Sequence, residues 1–210
     1  MGLAAGVLTG LVTGTLACLL TPWTRRVAET QSRWLRSGGQ VVLAVGLGFG
    51  AAALARGWAE LLGYAALAVA CGLLVVVDLA VHRLPDVIVG PTFVVLLLSL
   101  TLAAATSGSW SALGRAVLAA ACVAVGYLAL ALISPSAVGL GDLKLAALLG
   151  AFLGWQGWAQ VVVGSAAAFV VNGLVVSLLL LTRRVRLSSA VAFGPSLVLG
   201  AVVGVGGRLW

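Results

Sequence analysis

The sequence predicts an all-α polytopic membrane protein with about eight transmembrane helices, and three observations carry that prediction. Of the 210 residues, 62% are hydrophobic and only 8% charged, with a mean hydropathy of +1.22, which excludes an ordinary soluble domain. The apolar residues gather into long runs, and about 20 residues of helix cross roughly 30 Å of hydrocarbon. The 28 glycines, with many alanines beside them, suit helices that approach closely in lipid. The chain reads as a single integral-membrane domain over 1–210, with a short cytoplasmic or interfacial loop at 21–40.

The apolar runs place helices near 3–20, 40–56, 60–81, 87–105, 111–133, 142–155, 158–181 and 193–208. The first run has no basic residue before Cys18, so Thr15-Leu16-Ala17-Cys18 reads as part of a retained span and not as a leader cleavage box. The stretch 21–40 carries mixed charge around Trp23 and Trp34, a pattern of arginines at headgroup level and tryptophans at the boundary. The third run ends in Leu73-Leu74-Val75-Val76-Val77 before Asp78. The fourth contains Pro91, the simplest cause of a kink, and Pro135 closes the fifth. The sixth, 142–155, is short, at about 20 Å by the rise of an α-helix. It is either a span beginning below the interface or a re-entrant element beside a polar cavity. The seventh is followed by Arg183, Arg184 and Arg186, and Phe193-Gly194-Pro195 opens the eighth.

The net charge of +7 is not a nucleic-acid signal, because the basic residues lie between apolar runs. With the N-terminus outside, the inward side holds Arg25, Arg26, Arg33, Arg36, Arg83, Lys144, Arg183, Arg184 and Arg186, and the outward side Arg56, Arg115 and Arg208. Nine against three is a positive-inside bias. Alternating spans then end the third helix, with Asp78, and begin the sixth, with Asp142, on the same cytoplasmic face. Cys18, Cys71 and Cys122 are far apart with no CxxC pair, so they read as small packing residues. Neither a disulfide, a metal site nor a cofactor is expected.

Three of the five acidic residues fall in two segments, 78–86 (DLAVHRLPD) and 139–145 (GLGDLKL). A carboxylate near the bilayer centre costs about 2.5–3.5 kcal/mol on translocon scales, so acids in such places usually serve function. Asp78 stands near a helix C-terminus, the unfavourable end of the macrodipole, and capping does not explain it; pairing with Arg83 or Lys144 is the structural alternative. For Asp142 the alternative is an N-cap, while Gly139 and Gly141 remove side chains where the backbone bends or a neighbour comes close. Asp86, after Pro85 in a first helical turn, suits helix initiation. His82 is the sole histidine and reads as solvated. Lys144 faces away from Asp142 on the helix, as an interfacial anchor or an electrostatic tuner.

Taken together, these residues resemble the type IV prepilin peptidases, the aspartic leader peptidases with a GxGD signature. Gly139-Leu140-Gly141-Asp142-Leu143-Lys144-Leu145 is similar to the family's GxGDxKL, Asp78 precedes Pro85-Asp86 as the family's first aspartate precedes Pro-Asp or Pro-Asn, and Phe193-Gly194-Pro195 is similar to its FGP. The resemblance implies that Asp78 and Asp142 are the catalytic pair. It also implies a prepilin-like substrate cut on the cytoplasmic side of the bacterial inner membrane, in contact with lipid and without nucleic acid, cofactor or metal. Longer members insert a domain with CxxC zinc motifs, associated with methylating the new N-terminus. Residues 21–40 have neither the length nor a cysteine for it, so a peptidase-only form without N-methyltransferase activity is expected. Oligomeric state and the choice among pilus, secretion and DNA-uptake substrates are not legible.

Two other readings are separable. Presenilin-like GxGD proteases pair the motif with a Tyr-Asp dipeptide, whereas Asp78 follows Val77. A small proton-coupled transporter would use intramembrane acids as carriers, and internal repeats would favour it; none is visible.

Overall fold

A computed structural model describes residues 2–29, 32, 37–133, 139–182 and 192–207. Among these residues the protein is helical, with α1 Leu3–Val27, α2 Gly39–Leu54, α3 Trp58–Val81, α4 Asp86–Ser107, α5 Trp110–Ile133, α6 Leu140–Gln156, α7 Trp158–Leu181 and α8 Gly194–Gly206. The all-α membrane reading holds: α1, α3, α4, α5 and α7 are each long and apolar enough to cross a bilayer, and α2 and α8 are shorter apolar helices. Arg33, Trp34, Arg36, Pro135, Arg183, Arg184, Arg186 and Arg208 lie outside the described residues. The chain divides into two compact units, residues 1–113 and 114–208.

In the first unit α1 packs on α2 and α3, and α3 packs on α2 and α4. Small residues set the spacing. A Cβ at Gly10 would come 3.0 Å from the Val45 carbonyl oxygen, and one at Gly72 2.8 Å from that of Gln40. Such contact brings polar groups into range across helices: Thr13 Oγ1 donates to the Ala44 carbonyl at 2.7 Å. Ala17, Ala44, Val69 and Leu73 close the core around it. Leu3, Val7, Leu8, Leu11 and Leu19 of α1 point outward and are exposed, as lipid-facing side chains are.

The end of α1 departs from the predicted boundary at residue 20. The helix runs on to Val27 through Pro22, and within this extension Thr21 and Thr24 donate their hydroxyls to the Ala17 and Leu20 carbonyls at 2.7 and 2.9 Å. Arg25 and Arg26 occupy its last turn, where cations meet the negative end of the dipole. Both ends of the predicted 21–40 loop therefore lie in helices. They are buried and bonded to each other, Gln40 Nε2 donating to Thr21 Oγ1 at 3.1 Å.

In the second unit α6 packs on α7 and α8, and α7 packs on α8. A Cβ at Gly204 would come 2.8 Å from the Gln160 carbonyl oxygen, and one at Gly154 3.0 Å from that of Arg115. The reverse between α6 and α7 is made by Gly157 alone, at φ 151°, a conformation that favours glycine. Exposed Val162, Val170, Leu174, Leu178 and Leu181 mark the outer face of α7.

Candidate active site

Two helices differ from the rest in carrying a long stretch enclosed on every side. Residues 67–78 of α3 and 148–156 of α6 are buried without a break, whereas a helix at the edge of a bundle exposes one face. Each carries one of the predicted acids at an end, Asp78 in the first unit and Asp142 in the second.

Asp78 is 3% exposed and sits in the last turn of α3. Its backbone carbonyl accepts the His82 N–H at 2.9 Å. His82 stops the helix by turning left-handed, at φ 51°, a conformation for which histidine is among the more tolerant side chains. Its ring is exposed, as is Arg83. Pro85 stands one residue outside α4 as its cap, with no side-chain capping bond, and exposed Asp86 is the first helical residue. Helix initiation at Asp86 thus holds, with Pro85 a position earlier than predicted. Its fixed φ of −67° orients the entering chain, and its carbonyl accepts the Ile88 N–H at 3.0 Å. Through Pro91 the helix continues.

Asp142 is half-buried in the first turn of α6. The helix begins at Leu140, two residues before the predicted start, and Gly139 is the cap. Asp142 is therefore the third helical residue and not the N-cap: its carboxylate reaches back to accept the Gly139 N–H at 3.2 Å. A Cβ at Gly139 would lie 3.3 Å from that same carboxylate oxygen, so glycine keeps the approach clear. Gly141 is half-buried on the first turn, and Lys144 is exposed.

Three residues that sequence reasoning did not single out complete the surroundings of α6. Arg115, predicted as an outward loop charge, lies on α5 and clamps the other end of α6. Its Nε donates to the Gly154 carbonyl at 2.7 Å and its Nη2 to that of Trp155 at 3.0 Å, a cation meeting carbonyls at the negative end of the helix dipole. Tyr127 of α5 is 4% exposed and stacks on Phe169 of α7 at 5.5 Å between ring centres. Both rings meet Phe193, at 5.9 and 5.7 Å. The Phe193-Gly194-Pro195 motif thus ties the entry of α8 to α5 and α7. Tyr127 carried one available signal: it is one of two tyrosines in the chain, and a phenol within an apolar helix needs a partner for its hydroxyl.

These helices and motifs define the class. The chain belongs to the Type IV leader peptidase family, which matches residues 65–205, a stretch that includes Asp78, Asp142 and Phe193. It is 36% identical over 141 residues to a prepilin leader peptidase/N-methyltransferase of Pectobacterium carotovorum subsp. carotovorum, covering 63% of this chain and 46% of that protein. It is 44% identical over 63 residues to a protein of the same name from Burkholderia pseudomallei strain 1026b, covering 30% of this chain and 19% of that one. The chain spans less than half the length of these curated relatives. No solved structure matches it.

Proposed function

We propose that the chain is a membrane-embedded aspartic endopeptidase that removes the leader of type IV prepilin-like proteins at the cytoplasmic face, with Asp78 and Asp142 as the catalytic pair. The observation that carries this reading is the burial of Asp78 at 3% exposure, at the end of an unbroken apolar run on a stretch of α3 that is buried throughout. The helix dipole does not favour an acid at that end of a helix, and acids within membrane helices usually serve function. Family membership and the surrounding motif supply the chemistry. Connectivity supports a shared face, since α4 and α5, both long enough to span, return the chain to the side it left at the end of α3.

The two environments divide the work. Asp142 stands in a first helical turn, where the dipole and the Gly139 N–H favour a negative charge; Asp78 stands where they do not. Asp142, ionised, takes a proton from water as the water oxygen bonds to the scissile carbonyl carbon. Asp78, protonated, donates a hydrogen bond to the carbonyl oxygen, on which negative charge develops. Collapse of the tetrahedral species breaks the C–N bond. The proton held by Asp142 passes to the departing amine, so both acids return to their starting states. The peptidase step alone is assigned: the connection between α1 and α2 contains no cysteine, and methyl transfer is not proposed.

Cleavage of a synthetic peptide with a basic leader, a glycine and an apolar helix tests the reading. The full chain in lipid is expected to cut after the glycine, and Asp78→Asn and Asp142→Asn to cut at background. Cleavage by Asp78→Asn near the wild-type rate sinks the two-aspartate mechanism.

A further inference from the structure

The geometry points to Tyr127 as the positioning residue for Asp142, its phenol O–H donating to the Asp142 carboxylate directly or through one water. This rests on the peptidase reading and adds a residue to it.

Three observations on the second unit converge. The Tyr127 hydroxyl is buried and has no hydrogen-bond partner among the described residues. A buried donor left unmade is costly, so an acceptor must meet it in the working protein. Tyr127 also lines a small cavity of about 20 Å³ with Ala146, Leu149, Gly150 and Leu153 of α6 and Ser165 of α7. That volume suits a single water. Finally, the α6 residues that line the cavity form one stripe of the helix, and Asp142 lies on that stripe one turn before Ala146. Among the described residues Tyr127 is the one titratable side chain lining the cavity, and Lys144, two residues beyond Asp142, is exposed on another face.

The role follows from where the ring is held. Phe169 of α7 stacks on Tyr127 and Phe193, the cap of α8, meets it at a tilt, so the phenol is fixed by packing before any partner arrives, as a positioning donor requires. Catalytic hydrogen bonds are commonly long in the unliganded enzyme and tighten on binding substrate. A carboxylate accepts at several lone-pair sites, so Asp142 can keep the Gly139 N–H and accept the phenol as well. Donation favours the ionised form, which is the form a general base needs.

The test uses the full chain in lipid nanodiscs with the peptide described above. Tyr127→Phe removes the hydroxyl and keeps the stacked ring; Phe193→Leu loosens the stack and keeps the hydroxyl. For Tyr127→Phe, kcat is expected to fall about tenfold with KM unchanged, and the acid limb of the kcat profile to move up by about one pH unit, as the loss of a hydrogen bond to a charged group implies. Phe193→Leu is expected to lower the melting temperature and leave the acid limb in place. A readout independent of turnover is the Asp142 carboxylate infrared band, taken as the difference between wild type and Asp142→Asn, which is expected to move in Tyr127→Phe. An unchanged acid limb and band in Tyr127→Phe overturns the proposal, as does an equal shift of both in Phe193→Leu. Failure of the peptidase reading looks different: the wild type leaves the peptide intact or Asp142→Asn still cuts, while the infrared comparison continues to report on Tyr127.

Discussion

The two enclosed helices, α3 and α6, bury similar lengths of chain and treat their acids in opposite ways. On α3 the acid comes at the end, deep and against the dipole, after twelve consecutive buried residues that include it. On α6 it comes at the beginning, half-buried, bonded to a backbone N–H and followed by the buried run. The first helix tolerates its acid at a cost, and the second is helped by it. The helix dipole and the Gly139 N–H therefore favour Asp142 where it stands, and the dipole at the end of α3 does not favour Asp78. For Asp142 the case for function comes from the glycine-flanked motif.

The most direct way to break the comparison is to neutralise each acid in turn. Asp78→Asn and Asp142→Asn are each expected to lower cleavage by at least about 100-fold, the lower range of general acid–base contributions. Their stabilities are expected to diverge: Asp78→Asn leaves thermal unfolding in detergent unchanged or raised, because a disfavoured charge site has gone. Asp142→Asn lowers it slightly, because an N-terminal charge is lost while the amide oxygen still accepts from Gly139. Equal stability changes would erase the contrast between the two helix ends.

Packing is the next lever, and it separates enclosed from open positions. Gly72→Val forces a side chain into the Gln40 carbonyl and Ala44, at about 1–3 kcal/mol of overpacking, read as a lower unfolding midpoint. Gly46→Ala, with open space around it, is expected to be neutral or slightly stabilising through helix propensity.

Arg115 sharpens the description of α6 from its other end. Arg115→Met removes two donors from the Gly154 and Trp155 carbonyls and is expected to destabilise by about 1–2 kcal/mol. Arg115→Lys restores part of this, since an ammonium reproduces the charge without the fork. KM for the peptide is expected not to move in either variant.

The smallest effects belong to the connection after Asp78. Asp86→Asn loses a dipole interaction of about 0.3–1 kcal/mol and retains cleavage. His82→Gly is expected to be neutral or mildly stabilising, because glycine adopts the left-handed conformation freely, and to remain active. His82→Ala is expected to be somewhat less stable and equally active. Loss of cleavage in either His82 variant would replace the two-aspartate pair with a histidine-assisted one.

The sequence by itself determined the class of fold and the order of its parts. Apolar runs long enough to span, interrupted by charge, leave few arrangements, because unpaired backbone is prohibitive in lipid. For the same reason seven of the eight helices were legible to within a few residues at each end, and the eighth, α1, was legible at its start. Its far end was not, since Pro22 and the polar residues after it read as a stop, whereas the helix continues through them and Thr21 is met by Gln40 from α2. The two acid motifs were legible as well, being contiguous and chemically unusual in such a chain.

Tertiary structure alone decided which helices are enclosed. Neither α3 nor α6 has a composition that sets it apart from its exposed neighbours, and burial on all sides comes from the neighbours. It also decided that Asp142 is braced by Gly139 and that Arg115 closes α6. Tyr127, Phe169 and Phe193, far apart in the chain, meet in one cluster through it. Each of these is a contact between elements or a local reach of a side chain, and in a sequence so uniformly apolar no periodicity records which face of a helix meets which neighbour.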